Sequence, residues 1–364
     1  MMTSMRHLSY WIVAVTTALV LGTSEGRGDA ATLLSLGAPA GGAACFPLAV
    51  SADGTVAVGS CRTLSLRPAP MAFVWIRGQG VIHLAEPLPS QALPISVNAV
   101  SPNGDMVVGT AQDLGRGNEG YIWGRDRPTT GLGNAPGTSS IPTGLAPTGL
   151  VVGTMETATG IKPFRWTAKD GLQLLPGLPP GLQAEVYGIS SDGNVIVGRA
   201  WLTGSQRTRG WAFRWTESEG FRNLEPPRGD DYFIGSTATD VSSDGQVVVG
   251  DNIFDGRRQA FRWTSDRGMV PLGILKGEKA SEATAISGDG RVVLGQSGSR
   301  SFWWDEARGL RDLRAVLETD YGMEQVLQGW QLESVNAISA DGRVLAGQGR
   351  NPSGEPEGWI IELR

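Results

Sequence analysis

AVSADGTVAVG (Ala49 to Gly59), AVSPNGDMVVG (Ala99 to Gly109), GLAPTGLVVG (Gly144 to Gly153), GISSDGNVIVG (Gly188 to Gly198), DVSSDGQVVVG (Asp240 to Gly250), AISGDGRVVLG (Ala285 to Gly295) and AISADGRVLAG (Ala337 to Gly347) are seven copies of one motif. Each places an Asp-Gly type turn before a short aliphatic run that ends in glycine. The closing glycines lie 50, 44, 45, 52, 45 and 52 residues apart. A period of this size marks propellers and other repeat architectures.

Around each copy, period-2 and continuous apolar patterns give four short strands separated by turn residues. The segment before the turn is the first. The aliphatic run after it is the second, and its consecutive apolar residues imply burial on both faces. An aromatic element is the third, as in Ala72-Phe73-Val74-Trp75, Pro163-Phe164-Arg165-Trp166, Ala212-Phe213-Arg214-Trp215 and Ala260-Phe261-Arg262-Trp263. Its Phe and Trp, two apart, point to one side of the sheet and are read as core. A fourth strand follows a glycine, for example Val81 to Leu84, Leu172 to Leu175 and Leu310 to Leu313, with a weak copy near Leu132.

The seventh repeat ends on its third strand, whereas Thr32 to Gly37 has the form of a fourth strand and precedes the first repeat. An N-terminal strand completing the last blade accounts for both, and separates a closed ring from an open solenoid. The expected fold is an all-β, seven-bladed propeller of four-stranded blades, one domain over residues 31–364.

Residues Met1 to Gly22 carry Arg6 and His7 before an apolar stretch, Leu8 to Leu21, and small residues follow to Ala30, which reads as a signal peptide over residues 1–30. No other run of about 18 apolar residues exists, so the mature chain is expected without a membrane span, as an exported, periplasmic or extracellular monomer. With 52 Gly, 21 Pro, 18% charged residues and a net charge of −5, the composition is turn-rich and offers no basic field for nucleic acid. Cys45 and Cys61 are the only cysteines and flank the first Asp-Gly hairpin. A three-residue loop with Gly54 left-handed makes paired numbers sum to 106 and sets the two cysteines opposite. Oxidised, they close a loop of about 15 residues, worth roughly 3 kcal/mol in the chain-entropy model.

The order Ile-Ser-x-Asp-Gly, aliphatic run, Gly and then a strand ending in Trp resembles the tryptophan–aspartate repeat propellers. It is similar, more closely, to the bacterial exported HAF-repeat proteins, whose units pair an Ala-Phe-x-Trp strand with an Ala-x-x-Ile-Ser-x-Asp-Gly hairpin. The resemblance covers Ala31 to Arg364 and implies an extracytoplasmic propeller of uncharacterised function. It departs at the eponymous histidine, since Met71, Trp211 and Gln259 precede Ala-Phe here.

On the strand order of those propellers, the Asp-Gly turns share one face and read as scaffold. The variable links share the other, where binding is usually placed. They include Arg62 to Pro70, Trp201 to Arg209, Glu225 to Gly235, Asp251 to Arg258 and the longest, Ala315 to Glu333. Trp201, Arg207, Arg209, Asp231, Tyr232, Arg257 and Arg258 make a candidate patch for an acidic glycan or peptide. The long insertion reads as one or two short helices covering one end of the ring, with two readings: packing at the junction of blades 6 and 7, or a lid bringing Tyr321 and Trp330 to a ligand.

His83 is the only histidine beyond the leader, which argues against histidine triads and histidine-rich metal sites. Gly115 to Gly120 matches a dinucleotide fingerprint in letters, but a strand follows it rather than a helix. Arg228-Gly229-Asp230 has the letters of an adhesion tripeptide and no context for it. Asp230, Asp231, Asp251 and Asp255 could gather oxygens for Ca²⁺, although none has the spacing of a known calcium loop and solvated turn carboxylates are the preferred reading. No cofactor is expected. Function is read as a binding or interaction module for an extracytoplasmic protein or glycan, with catalytic residues unassigned. The alternative is a propeller-class carbohydrate-active enzyme using Asp230, Asp231 or Asp320, and a third reading is a structural surface protein.

Overall fold

The computed structural model describes residues 30–37, 44–62, 71–84, 88, 90–113, 117–125, 127–133, 138–205, 210–225 and 235–364. Seven four-stranded antiparallel sheets follow one another, six of them with their strands in chain order from the axis outward. Blade 1 is built from Ala44–Val50, Val56–Arg62, Met71–Ile76 and Gly80–Leu84. Blades 2 to 6 span residues 93–131, 139–174, 182–223, 237–273 and 281–312. Blade 7 takes three strands from Gln331–Ile338, Val344–Arg350 and Pro356–Glu362, and its fourth from Thr32–Ser35. That strand pairs Thr32 with Glu362 and Ser35 with Trp359, so the ring is closed as the sequence predicts. The described residues contain no helix long and apolar enough to cross a membrane.

Each blade face packs against its neighbour, and the second strand shows why its aliphatic run is continuous. Val56 and Val58 lie in the apolar layer shared with blade 2, together with Val97, Val107 and Tyr121. Ala57 points the other way and joins Phe73, Trp75 and the cysteines against Ile360 and Ala346 of blade 7. The Phe and Trp of the aromatic strand share that side, as two-residue spacing requires. The closing glycine is needed because a Cβ at Gly59 would stand 2.1 Å from the Phe46 carbonyl oxygen and 3.0 Å from the Phe73 ring.

The Ser-x-Asp-Gly turn is locked by its own side chains. Buried Ser51 donates to Asp53 at 2.6 Å and accepts from the Val56 amide at 3.0 Å, while Asp53 accepts from the Thr55 amide at 3.0 Å. Gly54 completes it with φ 66°, which glycine adopts without strain. In blade 5 the Ser242 hydroxyl and the Gln246 amide hold the Asp244 carboxyl below its ordinary value.

Cys45 and Cys61 form a disulfide and are a register pair, but the route differs from the sequence argument. The turn is one residue longer, since Ser51 donates to the Val56 carbonyl and Ala49 pairs with Val58. A β-bulge at Leu48 then moves the register by one, so that Pro47 faces Gly59 and Cys45 faces Cys61. The two displacements cancel.

The long insertion forms the helix Leu313–Tyr321, capped by Asp312 at its start and by left-handed Gly322 at its end. It buries Leu313, Val316 and Leu317 in the core shared by blades 6 and 7, with Trp303, Val335, Leu345 and Trp359. It therefore packs at the junction of blades 6 and 7, the first of the two readings of the sequence, and is not among the residues that line the axial cavity, so it does not cover that end of the ring as a lid. Its amphipathic face needed an apolar partner, and that junction supplies one.

Candidate functional site

The bulge found in blade 1 recurs in the innermost strand of every blade. At the same position in each blade it leaves a residue without a ladder partner: Leu48, Asn98, Thr143, Tyr187, Thr239, Thr284 and Asn336; blades 2 and 7 carry a second irregularity, at Ile95 and Glu333. All seven line an axial cavity of about 250 Å³. Five use their side chain to donate to the next blade, always to the carbonyl just before that blade's own bulge. Asn98 reaches Pro142 at 2.9 Å, Thr143 reaches Val186 at 3.0 Å and Thr239 reaches Ala283 at 2.8 Å. Thr284 reaches Val335 at 3.0 Å, and Asn336 crosses the ring seam to Pro47 at 2.8 Å. Leu48 has no donor, and the Tyr187 hydroxyl turns to Glu185 at 2.8 Å. These two are 42% and 39% exposed.

At the turn face a second belt narrows the channel. Ser243 donates its amide to Gly288 at 2.9 Å, Gly288 to Ala340 at 2.9 Å, Ala340 to Ala52 at 3.0 Å and Ala52 to Pro102 at 2.9 Å. The chain of bonds stops at Pro102, which has no N–H to pass on. The residues here are small because a Cβ on Gly288 would lie 2.7 Å from that of Ala340.

One charge stands between the two belts. The position after the bulge is Ala49, Ala99, Gly144, Gly188, Ala285 and Ala337 in six blades and Asp240 in the fifth. Asp240 accepts from the Val241 amide at 2.8 Å and from the Ile286 amide of blade 6 at 3.0 Å. Burial pushes its carboxyl up to about 6, against the pull of those two amides. Protein surrounds it on all sides, yet solvent still touches it through the cavity it lines.

Toward the opposite face the repeat is broken again, in blades 4 to 6. The residue after the closing glycine is Ser60, Thr110, Thr154, Gln296 or Gln348 in five blades, but Arg199 and Asp251 in blades 4 and 5. The residue two before the bulge is Glu185 in blade 4 and Glu282 in blade 6, and is uncharged elsewhere. Arg258 bonds Asp251 through Nη1 and places Nε 3.7 Å from Glu282. Burial pushes the Asp251 carboxyl up to about 6, helped by Glu282 and opposed by Arg258 and Arg199. Burial pushes the Arg199 guanidinium down, with Tyr187 and Asp251 acting against it. Within this network every charge has an opposite neighbour, which a desolvated group requires.

The structure distributes the sequence candidates unevenly. Arg258 sits in this network and exposed Arg257 is beside it on Arg257–Thr264. The span Asp251 to Arg258 is a tight hairpin rather than a loop, turning on Asp255 and Gly256 with φ 50° and 75°. Asp255 is exposed on that turn and Asp251 is ion-paired; among the described residues no three His, Cys, Asp or Glu side chains gather around a common point. Trp201 is 2% exposed within Ile196–Leu202, so its ring belongs to the core and not to a binding loop. Trp330 is 8% exposed and packs with Met323 and Leu327. Tyr321 is half-buried against Trp303, ring centroids 6.1 Å apart. Asp320 accepts from Arg308 and Arg311, each at 2.8 Å, which pins the helix to blade 6. Arg207, Arg209, Asp230, Asp231 and Tyr232 lie outside the described residues, as do the leader and the tripeptide at 228–230. Asp240, Arg199 and Glu185 were missed, although comparing equivalent repeat positions exposes each of them.

No protein-family model matches this sequence, and no curated protein matches it. Solved structures do. The β-propeller domain of the Trilobed protease from Pyrococcus furiosus, described as having an open velcro topology, is similar at TM-score 0.56 and 10% identity, over 87% of this chain and 95% of that one. An oligogalacturonate lyase in complex with manganese is similar at TM-score 0.57 and 12% identity, over 94% and 99%. TolB from Acinetobacter baumannii matches at TM-score 0.47 and 13% identity, over 71% of this chain, which spans 64% of that structure. At these identities the likeness to the first two is one of fold alone: a β-propeller.

Proposed function

We propose that this chain is an exported propeller of the HAF-repeat kind that recognises an extracytoplasmic protein or glycan at the axial mouth opposite the Ser-x-Asp-Gly turns, on blades 4 to 6. The observation that carries this is the break in the repeat. Scaffold positions that are small or uncharged in the other blades become Glu185, Arg199, Asp251 and Glu282 on one side of the mouth, with Arg257 and Arg258 alongside. A fold that is stable with neutral residues at those positions does not need four charges there. Export is supported by Arg6 and His7 before the apolar run Leu8 to Leu21, and by the disulfide, which persists in oxidising compartments.

The test is thermal unfolding of residues 31–364 with acidic and neutral oligosaccharides, peptidoglycan fragments and cationic and anionic peptides. A ligand at 100 times its dissociation constant adds about 2.7 kcal/mol. A selective shift that disappears in Arg257→Glu and Glu282→Gln supports the reading. No shift across the panel, or one untouched by both variants, overturns it.

The enzyme reading has one observation of its own: Asp251 holds a carboxyl near 6 beside Arg258, a value suited to proton transfer near neutral pH. Turnover of polyuronate or neutral polysaccharide that is lost in Asp251→Asn supports it. Absence of product from every polymer that shifts the melting temperature counts against it.

A further inference from the structure

We propose that the axial cavity receives one extended cationic side chain, a lysine or arginine presented by a partner protein, with its aliphatic stem between Leu48 and Tyr187 and its charged head on the Asp240 carboxylate. This rests on the reading that the mouth opposite the turns is the recognition face, and it names what goes deepest into that face.

The repeat does not require a carboxylate at the position of Asp240. Four other blades carry alanine at its position and two carry glycine. Its two oxygens each take one backbone amide, whereas an ionised carboxylate has about four acceptor sites. No charged group among the described residues acts on it. It is a buried anion with spare acceptor capacity, facing a cavity that solvent can enter.

The wall above it suits a stem. Five bulge residues are committed to stitching blades together, and the two that are not are Leu48 and Tyr187, on blades that stand across the ring from each other. Together they offer an aliphatic and an aromatic surface to the cavity. Lysine and arginine cover apolar surface with their stems while their heads seek a polar group, and a tyrosine ring attracts a cation. Thr239 and Thr284 spend their hydroxyl protons on Ala283 and Val335, so their lone pairs remain available to an ammonium donor.

Size and coordination exclude other occupants. A cavity of about 250 Å³ is below the roughly 300 to 1,000 Å³ of ordinary small-molecule sites and holds about eight waters. One side chain fits, and a sugar chain does not. A hard divalent ion seeks six to eight oxygens, with several carboxylates among them, and only one carboxylate stands here. Asp240 lies beside the belt of turns, and the bulge residues that offer the stem surfaces stand one position further from that belt on their strands, so a stem entering from the side opposite the turns leads to the carboxylate.

The test is a titration, followed by NMR, of the capped peptide Gly-Gly-Lys-Gly-Gly and of the same peptide with norleucine for lysine. Wild type is expected to saturate with the lysine peptide and to prefer it by at least about tenfold, or about 1.4 kcal/mol. Asp240→Ala, which restores the residue of four sister blades, is expected to keep a cooperative melt and to lose that preference. Leu48→Ala is expected to weaken both peptides and keep the preference. Equal binding of the two peptides, no saturation at millimolar concentration, or an undiminished preference in Asp240→Ala overturns the proposal. Arg257→Glu and Glu282→Gln separate the two readings. If they abolish a ligand shift at the mouth while Asp240→Ala leaves lysine binding intact, the recognition face stands and the cation pocket falls.

Discussion

Asn336 donates its side-chain amide to the carbonyl oxygen of Pro47 at 2.8 Å, so the bulge residue of the last blade is bonded to the backbone beside the bulge of the first. The residues are 289 apart in sequence. Ser334 donates to the Asn336 carbonyl oxygen and fixes which way the amide points. The seam of the ring is thus held at its axis by the same device that joins blades 2 to 3, 3 to 4, 5 to 6 and 6 to 7.

Replacing Asn336 by leucine, the residue that blade 1 carries at this position, keeps an aliphatic shape and removes the bond. The expected loss is about 1 to 2 kcal/mol, the range for a hydrogen bond whose partner is left unsatisfied. Thr239→Val is expected to cost a similar amount at an interior junction. Urea unfolding measures both, and a loss below about 0.5 kcal/mol at either site would mean that the axial bonds do not hold the blades together.

The outer end of the same seam depends on the N-terminal strand. Ser35 and the Gly37 amide both bond Glu357, which also takes Asn351, and Leu36 donates to the Gly358 carbonyl. Deleting residues 31–37 leaves Glu357 and the edge Trp359–Glu362 without these partners, at an expected cost of at least about 4 kcal/mol. A synthetic peptide of residues 30–37 is expected to restore part of the melting temperature when added in trans. Melting unchanged by the deletion would refute closure by this strand.

The disulfide lies in the apolar layer between blades 7 and 1, beside Ala346 and Ile360. Mass analysis after denaturation and alkylation should therefore find no free thiol. Replacing both cysteines by alanine is expected to lower stability by about 3 kcal/mol in the chain-entropy model, with the fold retained. Two alkylatable thiols in exported protein would contradict it.

The disulfide also shows how far the sequence could be read. Repeat period, strand count, ring closure and the cysteine pair were all legible, because each rests on local turn chemistry or on period-2 burial. The bulge was not. An extra residue in a strand leaves no mark in a single copy of the repeat, and a simple count reached Cys45 opposite Cys61 only because a longer turn and the bulge offset each other. With the bulge unseen, the axial positions of Asn98, Thr143 and Asn336 have no assignment, and Asp240 reads only as part of the first strand of its repeat. Trp201 opens a variable link in the sequence, but the second strand continues to Leu202 and, being packed on both faces, buries Ala200 and Trp201 alike.

Asp240 yields a prediction with a definite sign. Its carboxyl titrates near 6 in the folded chain, raised by burial, and near 3.9 when unfolded. Below about pH 4 both states hold the proton, and above about pH 6 both have lost it. Between these limits the folded state alone keeps the proton, so the stability that the neutral acid contributes is lost as pH rises through this window. Asp240→Ala removes the effect. Measured against the variant, wild type should lose roughly 2 to 3 kcal/mol between pH 4 and pH 6.5 and nothing more above that. Asp251 is raised for a similar reason but is unchanged in the variant, so it cancels in the comparison. A difference between the two proteins that does not vary with pH would show that Asp240 is solvated as freely in the folded chain as in the unfolded one, and would remove the buried anion on which the cation pocket depends.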